Sequence, residues 1–143
     1  MSDDYLRSKI YVLKLTGGNY YVGKCNDFPK RVKRHIEGNG SLWTKLHRPV
    51  ATDTFFWGED EEEKSVTLHY MEKYGINKVR GWDFAKGGDY DEDQVQWVID
   101  NDVDDIISID EIEVCTSLKP MKLEKSFKWK INREKDLIID PYF

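Results

Sequence analysis

Two short runs rich in β-branched and aromatic residues, KIYVLKL at 9–15 and YYVGKC at 20–25, are separated only by Thr16-Gly17-Gly18-Asn19. No other feature constrains the fold as tightly, because runs of this composition joined by a glycine-bearing tetrapeptide predict an antiparallel hairpin. Its register decides which side chains share a face, since a one-residue slip moves a strand's side chains to the other side. A two-residue loop, Gly17-Gly18, would pair Tyr11 with Lys24 and put Tyr11 and Tyr21 on opposite faces. A three-residue loop, Gly17-Gly18-Asn19, pairs Tyr11 with Cys25 and Tyr21 with Leu15, with both tyrosines on one face. The three-residue loop is the expected one.

Downstream, Asp27 is placed to cap a short basic helix with Pro29 in its first turn. Phe28, Val32 and Ile36 recur at i, i+4, i+8, and Gly38 and Gly40 stop it. On that helix Arg31 and His35 fall at the border of the apolar stripe, one turn apart. After a polar loop, Val50 to Trp57 has strand composition. A second helix opens on Asp60 to Glu63 and runs to about Tyr74, ended by Gly75. The order is ββαβα, which with 143 residues implies one α+β domain carrying an appendage. In the appendage, residues 91–103 carry a helical pattern with Val95, Val98, Ile99 and Val103 on one side, and 106–114 has strand composition. Met121 to Ile131 alternates apolar and polar residues like a strand buried on one face.

The net charge of −5 is unevenly spread. Residues 1–50 hold ten Lys or Arg against four Asp or Glu, while 51–143 hold twelve against twenty-three. A basic first third can meet phosphates while the remainder limits non-specific binding. No apolar run approaches a membrane span, and Asp3 and Asp4 replace the basic start of a leader, so an intracellular protein is expected. Cys25 and Cys115 form no CxxC or Cys/His cluster, which indicates neither a disulfide framework nor a zinc ligand set. Asp89 to Asp93 is similar to a calcium loop, but Gln94 replaces its turn glycine and Asp100 its bidentate Glu.

Ile10-Tyr11 and Tyr21-Val22-Gly23, ten residues apart from tyrosine to tyrosine, resemble the two motifs of the GIY-YIG nuclease family. Lys24 to His35 resembles the stretch from YIG through a catalytic Arg to a His. Gly40 to Thr44 with His47-Arg48-Pro49 resembles the loop that follows in one branch. Glu63 to Thr67, Tyr70-Met71, Tyr74-Gly75-Ile76 and Val79-Arg80-Gly81 resemble that branch's last helix and exit. The resemblance covers residues 8–88, leaving 89–143 as a C-terminal extension. It implies a small antiparallel three-stranded sheet flanked by helices. Lys9 stands where Gly is usual, Cys25 where Thr is common, and the Val79-Arg80-Gly81 segment where other branches carry an Asn, whose role stays unassigned here.

What the resemblance implies chemically is a magnesium-dependent endonuclease acting on DNA; the alternative is a nucleic-acid- or partner-binding module that kept the fold and lost catalysis. Cutting a phosphodiester requires a water to lose a proton and charge on the phosphoryl oxygens to be stabilised. Tyr11 and Tyr21 would line the site, one of them helping to activate the nucleophile, with Arg31 and His35 completing the catalytic set. Glu63 would be the single protein ligand of Mg²⁺, a cation often held by one or two carboxylates plus waters and phosphate. Helical rotation places Glu63 mid-face among Val66, Tyr70 and Thr67, with Glu72 about 180° away. Lys24, Lys30, Lys33 and Arg34 are the candidate contacts to a nucleic-acid backbone; for the three on the helix, a solvated face is the bland alternative.

Overall fold

The computed structural model describes residues 7–101 and 106–123. Its centre is a four-stranded sheet in the order β3-β1-β2-β4. β1 (Lys9–Leu15) and β2 (Tyr20–Cys25) form the hairpin, and β3 (Pro49–Trp57) pairs antiparallel with β1 on the other side. The hairpin loop has three residues but lies one residue earlier than expected, at Thr16–Gly18. Both glycines take positive φ (74° and 75°) inside it, and extended Asn19 returns its amide to the Thr16 carbonyl. Tyr11 therefore pairs with Gly23 and Tyr21 with Leu13, not with Cys25 and Leu15. Parity is unchanged, so the two tyrosines share a face.

A fourth strand, β4 (Val79–Gly81), corrects the three-stranded antiparallel expectation, because it pairs parallel with β2 across Tyr20–Val22. Three residues with an arginine at the centre carry no periodicity, and parallel pairing depends on a long crossover that local sequence does not announce. That crossover runs through α1 (Phe28–Ile36), α2 (Leu42–Leu46), β3 and α3 (Asp60–Tyr74). α2 occupies the segment read as a polar loop, capped by Ser41, whose side chain accepts from the Thr44 N–H.

Helices cover both faces of the sheet. α1 and Trp43 of α2 pack on Tyr11, Leu13, Leu15 and Phe55, while Val66, Tyr70 and Met71 of α3 pack on Ile10, Val12, Val22 and Phe56. β1 is consequently buried at every position except Lys14, which is why it reads as nearly continuous apolar sequence. Lys9 is buried too, its ammonium donating to the Arg7 and Asn26 carbonyls.

In the extension, α4 (Glu92–Asn101) buries Val98 but leaves Ile99 half-exposed; Val103 lies outside the described residues. Residues 106–114 are not a strand: they contain a 3-10 turn at Ile109–Glu111 and make one bridge, Val114 to Phe56. Together with 121–123 this segment lines the outer edge of β3. The Trp57 N–H donates to the Glu113 carbonyl, the Cys115 N–H to Phe55 and the Leu123 N–H to Val50. The rest of the Met121–Ile131 run, from 124 on, lies outside the described residues. Ile112, Cys115 and Leu123 are buried in the two cores. Burying a large aliphatic side chain stabilises by roughly 1.5–3 kcal/mol, against a typical total of about 5–15. A chain ended at residue 104 is therefore expected to be insoluble or unfolded, as read by thermal unfolding. A soluble fragment melting cooperatively near the full chain would show that the extension is detachable.

Candidate active site

The site is built on the face of the sheet that α1 covers. Tyr11 is fully buried, its ring lying across Gly23, where a Cβ would run into the Tyr11 hydroxyl. The third residue of the Tyr21-Val22-Gly23 motif is thus a steric requirement of the first tyrosine. The Tyr11 hydroxyl lies 2.6 Å from His35 Nε2, and the Arg31 guanidinium donates to the Lys24 carbonyl at 2.8 Å with its charge acting on the Tyr11 hydroxyl. The Tyr21 ring sits 6.2 Å from Tyr11 and 4.9 Å from His35, centre to centre. The structure thus brings Tyr11, Tyr21, Arg31 and His35 together. Tyr21 and Arg31 are partly exposed, whereas Tyr11 and His35 lie behind them.

His35 departs from its expected border position. It is buried with Phe28 and Val32, while Ile36 is only partly so. The reason is α2, which roofs that side of α1: Thr44 Oγ1 lies 2.9 Å from His35 Nδ1, and the imidazole fills the space a Cβ on Gly40 would need. Burial, reinforced by the positive charges of Arg31 and Arg34, pushes the imidazole down to about 3, so it is neutral at ordinary pH. Burial raises the Tyr11 phenol well above its usual value, with Tyr21 adding to this and Arg31 opposing it. Tyr21 is pushed up to about 12, by burial first and then by the negative charge of Glu63.

Glu63 belongs to the helix on the opposite face, yet its charge reaches Tyr21. β4 is short and pairs only with Tyr20–Val22, so the Gly23–Cys25 end of β2 has no strand beside it, and the first turn of α3 meets the sheet edge there. Lys24 from β2 marks that meeting, with its ammonium 2.6 Å from Asp60 and 3.7 Å from Glu59. Burial and the neighbouring Asp60 push the Glu63 carboxyl up to about 7, opposed by Lys24 and by a hydrogen bond from the Trp82 N–H. The competing carboxylates are otherwise disposed. Glu62 closes a capping box by accepting from the Glu59 N–H at 2.7 Å, and Glu61 and Glu72 are exposed. Among the described residues no three His, Cys, Asp or Glu side chains form a ready-made metal cage. A half-buried carboxyl raised by burial and by its acidic neighbours is nonetheless a place where a hydrated cation would be favoured, so Glu63 fits a divalent cation held by one carboxylate, waters and phosphate.

Of the four candidate backbone-contact cations, Lys30 and Arg34 are exposed on α1, Lys33 pairs with Glu37 at 3.2 Å, and Lys24 is held by the α3 ion pairs. Two further residues matter to the site's architecture, and the sequence segments that contain them gave them no role. Thr44 could have been found from the Ser41-x-x-Thr44 spacing of a helix cap. Arg80, fully buried, donates to the carbonyls of Ile76, Val79, Lys86 and Gly88 and is sandwiched between Trp43 (4.7 Å) and Tyr90 (4.0 Å). It ties β4 to the underside of α2, and only the tertiary structure reveals it.

No helix among the described residues is long and apolar enough to cross a membrane. The chain matches the family model described as the GIY-YIG catalytic domain over residues 7–84. Among curated relatives, the UPF0213 protein YazA of Bacillus subtilis is 48% identical over 40 residues, covering 28% of this chain and 40% of that protein. A UPF0213 protein of Bacillus cereus is 27% identical over 79 residues, 55% of this chain and 80% of the relative. The UPF0213 protein CPE1444 of Clostridium perfringens is 30% identical over 69 residues, 48% of this chain and 74% of its own. These names state no activity, and no solved structure matches. With one family model spanning more than half of its residues, on a sheet that carries both tyrosine motifs on one face, the chain belongs to the GIY-YIG family.

Proposed function

We propose that this protein is a magnesium-dependent endonuclease that hydrolyses phosphodiester bonds in DNA. GIY-YIG domains are in general nuclease domains, and the observation that carries the reading for this chain is the convergence of Tyr21, Arg31 and Glu63 at one sheet edge, backed by buried Tyr11 and His35. Arg31 presents a permanently charged fork where negative charge grows on the phosphoryl oxygens. Tyr21 is the more exposed of the two phenols and is acted on by the charges of both Arg31 and Glu63, so it orients the attacking water. Tyr11 remains a neutral phenol, since its own proton is held far above its usual pKa while His35 is a very weak base. Its part is to hold Arg31 in place. Glu63 would hold the magnesium ion, which when bound supplies positive charge to the phosphate and the leaving oxygen. Exposed Lys30 and Arg34 take the flanking nucleic-acid backbone.

Incubating the full chain with plain and branched DNA, with Mg²⁺ or with a chelator, tests this directly. Cleavage confined to the Mg²⁺ reactions is expected. Salt-dependent DNA retention without any cleavage would instead make the protein a binding module on a nuclease fold.

A further inference from the structure

Tyr11, His35 and Thr44 form one hydrogen-bonded chain that runs from the sheet to α2. The Arg31 guanidinium has donors and no acceptor, and its positive charge acts on the Tyr11 hydroxyl, so the phenolic oxygen faces the cation and the phenolic proton turns away from it. That leaves the single phenolic proton to its other partner, His35 Nε2, at 2.6 Å. Nε2 must then be bare, and a neutral imidazole with a bare Nε2 carries its proton on Nδ1. The group facing Nδ1 must accept, and it is Thr44 Oγ1 at 2.9 Å.

The hydroxyls behind Nδ1 agree with this assignment. Thr44 Oγ1 donates to the Ser41 carbonyl at 3.2 Å, which uses its only proton. Ser41 Oγ accepts from the Thr44 N–H at 3.0 Å and has its own proton for Thr44 Oγ1 at 2.9 Å. Thr44 Oγ1 then has one lone pair for Ser41 and one for His35, so every donor in the network has an acceptor. In the other tautomer the Nε2 proton would face the Tyr11 oxygen, the phenolic proton would be turned toward the cation Arg31, and the Ser41 carbonyl would keep only the Lys45 N–H.

The geometry points to Thr44 as a positioning residue that fixes the His35 tautomer, and through Tyr11 the Arg31 guanidinium, by accepting the Nδ1 proton. Control runs Thr44 to His35 to Tyr11 to Arg31, from the roof helix to the edge where the phosphate would lie. Gly40 completes the device by letting the loop backbone close against the imidazole. The value of this for catalysis rests on the nuclease reading above; the tautomer itself does not.

The full chain has only three histidines, so ¹⁵N imidazole spectra can assign His35 and read which nitrogen is protonated without any assay of activity. The wild type is expected to carry the proton on Nδ1. Thr44→Val keeps the side-chain shape but removes the acceptor. It should shift the proton toward Nε2 and lower turnover by about tenfold to a hundredfold, as loss of an orienting partner does, with DNA affinity changed less than about twofold. Thr44→Ser should restore both. A wild-type His35 protonated on Nε2 overturns the assignment, even if Thr44→Val does not fold. So does a folded Thr44→Val with parental turnover. If the wild type shows Nδ1 protonated and Thr44→Val shifts it, but neither cuts DNA, the positioning role stands and the nuclease reading fails.

Discussion

Replacing Arg31 with Ala should reduce DNA cleavage at saturating substrate by about a hundredfold to a thousandfold, while DNA affinity changes by only a few-fold. The range is what removal of one preorganised donor to a charge-developing transition state costs. The structural basis is that Arg31 donates to the Lys24 carbonyl, an uncharged acceptor that aims its fork without neutralising it. Arg31→Lys should recover little, because a point charge cannot reproduce an aimed fork. Lys30→Ala and Arg34→Ala should behave the opposite way, since both side chains are exposed on α1 away from the buried network. They are expected to weaken binding, flatten its salt dependence by about one unit of slope each, and leave turnover near normal. Single-turnover rates and binding isotherms at matched salt separate the two patterns. Parental turnover in Arg31→Ala would remove Arg31 from the chemistry and reduce it to a packing and backbone-tethering residue.

Glu63→Gln should lower Mg²⁺-dependent cleavage by at least about a hundredfold, because an amide keeps the shape but is a poor ligand for a hard cation. Glu72→Gln, on the exposed side of α3, should stay within about twofold of the parent. The Glu63 carboxyl must lose a proton to bind the cation, and it is pushed up to about 7, so cleavage at limiting Mg²⁺ should rise with pH through about that value. Stability gives a readout independent of activity. A carboxyl whose folded-state pKa is raised is ionised more easily in the unfolded chain, so its charge costs stability progressively from its ordinary value near 4.5 up to about 7, and fully above that. Without metal, Glu63→Gln should therefore equal or exceed the parent in thermal stability at pH 8, and that advantage should vanish below pH 4.5. Added Mg²⁺ should stabilise the parent and not the variant. Equal cleavage by Glu63→Gln and the parent would discard the metal assignment. Lost activity in Glu72→Gln alone would mean that the opposite side of α3 faces the reaction.

Much of this molecule was legible locally. The hairpin, the sharing of one face by Tyr11 and Tyr21, the Asp27 cap of α1 and the span of α3 up to Gly75 all follow from alternation, capping chemistry and glycine stops. Each depends on residues close in sequence, and the tyrosine faces survived a misplaced loop because the error moved the register by an even step. Glu63 stood out for a similar reason, since a carboxylate within the apolar arc of a helix is visible from rotation alone.

The remainder was decided by contacts between distant segments. His35 looked like a border residue until α2 closed over it, because helical periodicity reports which side of a helix is covered by the sheet but not what roofs its flank. β4 had too few residues to show a period, yet its shortness leaves the β2 edge open for Glu63 to reach Tyr21 from the helix on the other face. The extension read as an appendage because the resemblance ends at residue 88 and local patterns do not say which edge they meet; pairing with the edge of β3 gives Ile112, Cys115 and Leu123 their places in the core. Sequence by itself thus determined the elements and the candidate chemistry they carry, through interactions that are local. The tertiary structure alone decided how those groups are buried, oriented and protonated, because desolvation and hydrogen-bond direction depend on neighbours that the chain meets only after it has folded.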